Sequence, residues 1–159
     1  DDFRNFFRID KEKRNFLVKE SIEEVLSIQG AQLKSYNIEV DLDGEEFSFR
    51  GFKTEFQQVI INIINNAKDA FIDVKTELPK ISITLDSKSI AIQDNGGGIP
   101  EDVLERIFEP YFTTKAQGEG TGMGLYMSKM IIEDNMHSKI KATNHNGGSL
   151  IIIELENKI

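Results

Sequence analysis

Four short segments, which follow one another in a fixed order, constrain this chain more than any other feature of its sequence. The first holds two asparagines four residues apart, Asn62 and Asn66, and the second is Asp94 followed by an asparagine and three glycines. The third is the aromatic stretch over residues 109–115, and the fourth alternates glycines with other residues over 118–124. Each segment alone is common. Their co-occurrence in this order restricts the chain to folds that gather all four around one pocket.

Composition limits the kinds of protein to which the chain can belong. Its 159 residues fit one domain that buries roughly 70% of its unfolded surface. The net charge of −8 argues against a nucleic-acid surface, which needs a basic stripe. The chain has no cysteine, which excludes disulfides and thiolate metal sites and fits a reducing compartment. Apolar runs reach only about five residues, far short of a membrane span. Because the chain begins at Asp1, we expect a longer parent protein.

The apolar periodicity predicts an α/β domain. Ser21 and Glu24 fit a capping box that opens a helix over 21–36, and Asp43-Gly44 predicts a hairpin between its flanking strands. Further helices are predicted over 54–74 and 121–135, with a short one after Pro100; the predicted strands cover 38–42, 46–50, 81–85, 90–92, 139–143 and 150–155. This irregular alternation predicts a two-layer α/β sandwich in which helices pack on a mixed sheet.

The first fourteen residues differ from the rest of the chain. Phe3, Phe6 and Phe7 form an apolar stripe at helical spacing, and the charged residues 10–14 follow as a linker. We therefore divide the chain into residues 1–14 and a domain over 15–159. The first segment is either a terminal helix packed on this domain or the end of a helix from a domain upstream.

Asn62 and Asn66 share one face of the predicted helix over 54–74. An amide on an otherwise apolar stripe is costly to bury unless it finds a partner. A magnesium ion that carries phosphate oxygens is such a partner, because it accepts hard oxygen ligands. The alternative is an exposed helix edge, which the polar neighbours Asn65 and Lys68 support. The downstream glycines favour the ligand interpretation.

Asp94 ends a predicted strand and leads directly into Gly96, Gly97 and Gly98. A carboxylate accepts a hydrogen bond from the exocyclic amine of adenine, and glycines allow the backbone to approach the ring closely. A simple turn also explains an Asp-Asn-Gly sequence. Three consecutive glycines exceed what a turn requires, so a binding site is the preferred interpretation.

The fourth segment ends at a predicted helix start, where backbone N–H groups and the macrodipole bind anions. Phosphates are therefore expected at Gly118, Gly120, Gly122 and Gly124, with Thr121 as a candidate cap. Other nucleotide motifs are absent: no Gly-Lys pair exists for a P-loop, no glycines fit G-x-G-x-x-G, and neither H-R-D nor D-F-G occurs.

The third segment places Lys115 beyond Phe108, Tyr111 and Phe112. A lysine on a loop anchored by aromatic side chains could close over phosphates as a lid. The alternative is a small hydrophobic cluster with a solvated lysine. The chain has two histidines. His137 follows a predicted helix end and His145 lies in a predicted turn, so we expect both to be surface residues.

The four segments together resemble the N, G1, F and G2 boxes of the ATP-binding catalytic domain of bacterial sensor histidine kinases, in the superfamily that includes Hsp90, DNA gyrase and MutL. The resemblance covers about residues 15–157. It implies the Bergerat fold, a two-layer α/β sandwich whose mixed sheet is covered on one face by helices, with ATP and Mg²⁺ as ligands. It also implies the following ATP-binding residues: Asn62, Asn66, Asp94, Gly96, Gly98, Ile99, Lys115, Gly118, Gly120, Thr121, Gly122, Met123, Gly124 and Leu125. Asn66 is the implied metal ligand, and Asp94 is the implied adenine acceptor.

One position separates the classes within this superfamily. Hydrolytic members place a glutamate, as general base, four residues before the magnesium asparagine, where this chain has Asn62. An amide cannot take that role. The resemblance therefore implies transfer of the γ-phosphoryl group to a histidine on a separate dimerisation domain. That phosphoacceptor histidine is absent from this chain, so the chain does not contain a complete catalytic site. The alternatives are an ATPase or serine-kinase relative and a non-catalytic nucleotide-binding module.

The chain also departs from the family pattern. Asp69 stands where many relatives have a basic residue, which shifts an expected phosphate contact to Lys115 or Lys68. The usual Asn-x-Gly-Gly is Asn135-Met-His-Ser138 here. The implied partners are the parent's own dimerisation domain, in a homodimer, and indirectly a response regulator. The implied location is the cytoplasm, and the implied longer protein could be anchored in the inner membrane.

Overall fold

The computed structural model describes residues 12–110 and 124–156. Its elements, in chain order, are β1 (Arg14–Leu17), α1 (Val18–Ile28), α2 (Gly30–Ser35), β2 (Glu39–Gly44), β3 (Ser48–Gly51), α3 (Lys53–Val74), β4 (Lys80–Asp86), β5 (Ser89–Asp94), α4 (Glu101–Leu104), α5 (Gly124–Lys129), a π-helical segment (Met130–Asn135), β6 (Lys139–His145) and β7 (Gly148–Glu154). Strand β1 begins at Arg14, one residue before the predicted domain boundary, and that boundary stays a prediction.

Five of the strands form one mixed sheet in the order β2-β4-β5-β7-β6. Strands β2 and β4 are parallel, and the other neighbours are antiparallel. Side chains on β4 and β5 alternate between buried and more exposed positions, so one face of the sheet packs against the core. The predicted two-layer α/β architecture is confirmed.

Helix α3 is the centre of that core. Its apolar residues recur at helical spacing, and the following are buried: Phe56, Val59, Ile60, Ile63, Ile64, Ala67 and Phe71. Twenty-two residues give it a length of about 33 Å. Lys75 then takes a left-handed conformation, and the Thr76 N–H donates to the Phe71 carbonyl at 3.0 Å, which ends the helix. The predicted helix over 54–74 is confirmed.

The predicted capping box at Ser21 is wrong. Helix α1 begins three residues earlier, and the Ser21 hydroxyl donates back to the Leu17 carbonyl at 2.7 Å. The first N–H groups of α1 are capped instead by a distant carboxylate: Glu46 accepts from Lys19 N at 2.7 Å and from Glu20 N at 2.9 Å. A side chain outside the helix therefore does what the local motif predicted of Ser21. The predicted single helix to Tyr36 is divided into α1 and α2.

The predicted hairpin at Asp43-Gly44 is also wrong. Strand β2 pairs in parallel with β4, whereas β3 pairs antiparallel with β1 in a separate two-stranded sheet. The residues between β2 and β3 are used elsewhere, because Glu46 caps α1 and the Phe47 carbonyl accepts from Val18 N at 3.0 Å. The chain therefore leaves the sheet between its second and third strands.

The remaining predicted elements are present. Strands β4 and β5 form a hairpin, β6 and β7 form another, and the short α4 follows Pro100. The predicted helix start at Thr121 lies outside the described residues; α5 is described from Gly124 and continues as the π-helical segment. Within residues 12–110 and 124–156, no helix is both long and apolar enough to cross a membrane.

Candidate functional site

The Asp94 carboxylate is buried at the end of β5. Ile90, Ile92 and Asp94 alternate onto the core face of the strand, so the carboxylate is the last inward-facing group before the glycines. Oδ1 accepts from Gly96 N at 2.9 Å and from Ser149 N at 3.2 Å, and Oδ2 accepts from the Ser149 hydroxyl at 2.5 Å. These bonds hold both carboxylate oxygens in fixed positions. The site therefore presents an oriented acceptor.

The glycines after Asp94 run close beneath the second half of α3. A Cβ on Gly96 would lie 3.2 Å from the Ala70 Cβ and 3.3 Å from the Phe71 ring, so a side chain there would be crowded by the helix. Gly97 and Gly98 both have positive φ, at 92° and 82°, which disfavours other residues. The first of these glycines therefore packs directly against α3, where the helix leaves no room for a side chain.

The turn between β6 and β7, predicted from the sequence only as a turn, supports this loop. Gly148 lies directly beneath Asp94: a Cβ there would be 1.6 Å from the Asp94 carbonyl oxygen. Gly97 N donates to the Gly147 carbonyl at 3.0 Å. Ser149, which orients Asp94, was not predicted. The polar residue directly after Gly147-Gly148, at the start of a strand, was the only signal that could have identified it.

Asn66 lies on α3 with its side chain half-buried. Its amide has no hydrogen-bond partner within residues 12–110 and 124–156. An unengaged amide carbonyl fits the predicted role of a ligand to Mg²⁺, whose shell accepts such oxygens. Among the described residues, no three His, Cys, Asp or Glu side chains cluster to hold a metal ion. Asn66 is therefore the candidate ligand that this part of the chain offers, with further oxygens expected from the nucleotide.

Asn62, one turn earlier, is engaged by the protein itself. Its Nδ2 donates to the Gly124 carbonyl and to the Ser128 hydroxyl, both at 3.1 Å, and its Oδ1 accepts from Gln58 at 3.0 Å. The Ser128 hydroxyl also donates to the Gly124 carbonyl at 2.8 Å. Asn62 therefore ties α3 to the start of α5, where the fourth segment ends. Its predicted direct contact with ATP stays a prediction.

The structure brings three of the predicted segments together. The Asp94 segment reaches α3 at Ala70 and Phe71, and Gly124 reaches it at Asn62. Ile99 is half-buried beside β6, and Leu125 packs against the core. The other predicted ligand residues lie outside the described residues: Lys115, Gly118, Gly120, Thr121, Gly122 and Met123.

Lys68 does not share a helix face with Asn66. Two residues of α-helix correspond to a rotation of about 200°. The Lys68 Nζ lies 5.7 Å from the centre of the Tyr36 ring and 3.9 Å from an Asp69 oxygen. The expectation that Lys68 takes over a phosphate contact is therefore not supported by its position, and Lys115 is the remaining candidate.

Phe108, which directly precedes the aromatic segment, packs against the core, and the Lys129 ammonium lies 5.7 Å from the centre of its ring. This cation–π contact connects the segment to α5. The predicted partners Tyr111 and Phe112 lie outside the described residues. His137 and His145 are exposed, as predicted.

One ionisable group near the loop has a shifted pKa. The hydrogen bond from the Lys80 ammonium to Asp41, at 2.8 Å, raises the pKa of Lys80, and the charges of Asp41 and Glu39 add to the effect. The lysine therefore stays charged to a higher pH than usual. Its small contribution to stability is present below its ordinary pKa and is lost as the pH rises through the raised one.

Comparison with known proteins points to one family. A family model described as "Histidine kinase-, DNA gyrase B-, and HSP90-like ATPase" matches residues 51–159. The two-component sensor PprA of Pseudomonas aeruginosa is 36% identical over 145 residues, which is 85% of this chain and 16% of that protein. The chain therefore spans about one sixth of this relative.

Solved structures show the same fold. The nucleotide-free catalytic domain of histidine kinase ThkA superposes with a TM-score of 0.78 at 33% identity, over 91% of this chain and 95% of that one. Histidine kinase ThkA in complex with response regulator protein TrrA gives a TM-score of 0.73 at 27% identity, over 96% of this chain and 45% of that one.

Proposed function

Because this chain belongs to the histidine kinase-, DNA gyrase B- and HSP90-like ATPase family, we propose that it holds Mg·ATP and donates the γ-phosphoryl group to a histidine on a separate dimerisation domain. Within the family, its fold and relatives are those of the catalytic ATPase domain of two-component sensor histidine kinases. Since the chain spans about one sixth of PprA, the activity and partners of a whole sensor kinase are proposed here by similarity.

The observation that carries the proposal is the buried Asp94 carboxylate beneath α3, with both oxygens oriented by Gly96 and Ser149. A buried, oriented acceptor followed by glycines, which let a ligand approach the backbone closely, fits a flat base with an exocyclic amine. The half-buried Asn66 lies on the same helix, where the phosphates of that nucleotide are expected. Asp94 would thus select the base, and Asn66 would hold the metal.

Catalysis in this arrangement consists of positioning and charge neutralisation, as in phosphoryl transfer generally. Bound Mg²⁺ would neutralise charge on the phosphate oxygens. The chain itself fixes the base at Asp94 and aligns the start of α5 through Asn62. The Asn62 amide, already bonded to Gln58 and Ser128, has no basic atom with which to activate water. ATP is therefore held without efficient hydrolysis until a histidine is presented.

The partners in this proposal are the parent's dimerisation domain, in a homodimer, and a response regulator that receives the phosphoryl group. The structure of ThkA with TrrA supports such an arrangement by similarity. We propose a cytoplasmic location for this domain, because ATP and response regulators are found there.

Phosphoryl transfer can be tested directly with γ-labelled ATP. The isolated chain should bind ATP but neither label itself nor release phosphate at a useful rate. Addition of the parent's helical hairpin as a separate polypeptide should give acid-labile label on the hairpin histidine. The rate should be lower than in the intact kinase, because the tether supplies effective concentration.

The outcomes of this experiment separate the alternatives. Rapid phosphate release by the chain alone would favour a hydrolytic relative. Binding without transfer to the hairpin would favour a non-catalytic module. Label on His137 or His145 would contradict their assignment as surface residues without a role. An Asp94→Asn variant serves as the matched control, because at ATP concentrations below its Kd it should label the hairpin much more slowly while keeping the fold intact.

A further inference from the structure

The glycine loop that follows Asp94 is held at both ends by asparagine side chains. At its start, Asn95 Oδ1 accepts from Lys80 N at 2.8 Å, and its Nδ2 donates to the Leu78 carbonyl at 3.2 Å. At its end, Asn144 Oδ1 accepts from Ile99 N at 2.7 Å, and its Nδ2 donates to the Ile99 carbonyl at 2.6 Å. Each amide uses a donor and an acceptor at once, as a neighbouring strand residue would.

The second of these contacts is the more informative. Asn144 is an exposed residue near the end of β6, and it bonds to both backbone groups of a single residue 45 positions earlier. A Cβ on Gly98 would lie 3.1 Å from the Asn144 Oδ1, so the loop and this amide fit closely. Between the two asparagines, Gly97 N donates to the Gly147 carbonyl at 3.0 Å. The loop thus has three anchors within residues 95–99.

These anchors matter because of what the loop carries. Three consecutive glycines lose more conformational freedom on ordering than any other tripeptide. Gly96 supplies an N–H to Asp94 Oδ1, so a disordered loop would release one of the bonds that orient the carboxylate. A site whose loop is ordered before the ligand arrives does not lose binding free energy to that ordering.

We propose that Asn95 and Asn144 are positioning residues for the nucleotide base: they hold residues 95–99 in the binding conformation in the free protein and act through Gly96 and Asp94. The proposal rests on the proposed function, since the base is the ligand of Asp94. A merely structural anchor would stabilise the fold without distinguishing between parts of the ligand. A positioning residue for the base should affect binding of the nucleoside end and leave phosphate binding unchanged.

The first measurement needs no ligand. Amide hydrogen exchange of the ligand-free protein should be faster at Gly96, Gly98 and Ile99 in the Asn144→Ala variant than in the chain without substitutions, which is called the parent chain below. Asn146→Gly is the matched control: it removes an exposed amide from the same hairpin at a residue with φ of 48°, which glycine adopts without strain. That variant should exchange like the parent in residues 95–99. Unchanged exchange in Asn144→Ala would overturn the proposal.

The second measurement separates the two ends of the ligand. Asn144→Ala should weaken ADP binding about three- to tenfold, as expected for the loss of its hydrogen bonds. Binding of magnesium tripolyphosphate should be unchanged. Asn144→Asp keeps the acceptor for Ile99 N and loses the donor, so its ADP affinity should fall between those of parent and Ala variant. Asn95→Ala should behave like Asn144→Ala.

Several outcomes would contradict this assignment. ADP affinity equal to that of the parent, or an equal loss of ADP and tripolyphosphate affinity, would overturn the positioning role. If the chain without substitutions binds no ADP, the proposed function itself fails. In that case the exchange rates of the free loop still decide whether the two asparagines order it.

Discussion

Replacement of Asp94 by asparagine tests the base-binding site with the least disturbance to the fold. The new amide keeps an oxygen that can accept from Gly96 N and Ser149 N, as Oδ1 does now. Its Nδ2 would face the Ser149 hydroxyl, which can accept a hydrogen bond instead of donating one. We therefore expect the melting temperature of the variant to stay close to that of the chain without the substitution.

The effect on ligand binding should be large. The exocyclic amine of adenine would meet an N–H donor in the variant, at the position where the Asp94 carboxylate offers it an acceptor. A hydrogen bond to a charged group contributes about 1.5–3 kcal/mol. At 1.4 kcal/mol per factor of ten, the Kd for ADP should rise about 10- to 150-fold.

Calorimetric titration with ADP and with inosine diphosphate measures this effect and its cause. Inosine carries an oxygen in place of the adenine amine, so the parent should prefer ADP strongly and the variant should prefer it less. Ser149→Ala is the control, because it leaves the Asp94 carboxylate in place and keeps the Ser149 N–H; its Kd for ADP should change only a few-fold. An Asp94→Asn protein that binds ADP as tightly as the parent, with unchanged preference over inosine diphosphate, would refute the assignment.

Three further predictions follow from other residues. Asn66→Ala should abolish the increase in ATP affinity that Mg²⁺ provides, measured by titration with and without the metal; a retained increase would exclude Asn66 as the ligand. Gly148→Ala should destabilise the protein by about 3 kcal/mol or more in urea unfolding, because its Cβ would overlap the Asp94 carbonyl. Gly147→Ala is the control: its Cβ would enter open space, so only its φ of 76° should cost stability, about 1 kcal/mol. His137→Gly should raise stability by about 0.5–1 kcal/mol, since His137 has a φ of 51° after a helix end; an unchanged urea midpoint would argue against strain there.

Candidate ligand groups could be proposed from the sequence because they depend on residue types at short spacing. A carboxylate next to three glycines and an asparagine on an apolar helix each indicate a ligand through local properties alone. The supporting residues could not be found in this way. Ser149 and Asn144 contact residues 55 and 45 positions earlier in the chain, and neither lies in a pattern that stands out locally. They meet the glycine loop because β7 lies beside β5 and β6 follows it in the sheet.

The sequence by itself determined α3, whose apolar residues repeat with the period of a helix, and the β4–β5 and β6–β7 hairpins, whose strands are joined by short turns. Only the tertiary structure decided where β2 and β3 pair and where α1 begins. A hairpin signal at Asp43-Gly44 and a capping box at Ser21 are both favourable local choices. They are overridden because Glu46 caps α1 from outside and because β4 and β1 offer β2 and β3 complete backbone pairing. Local patterns fix the period of an element, whereas its partners depend on which distant groups satisfy its hydrogen bonds.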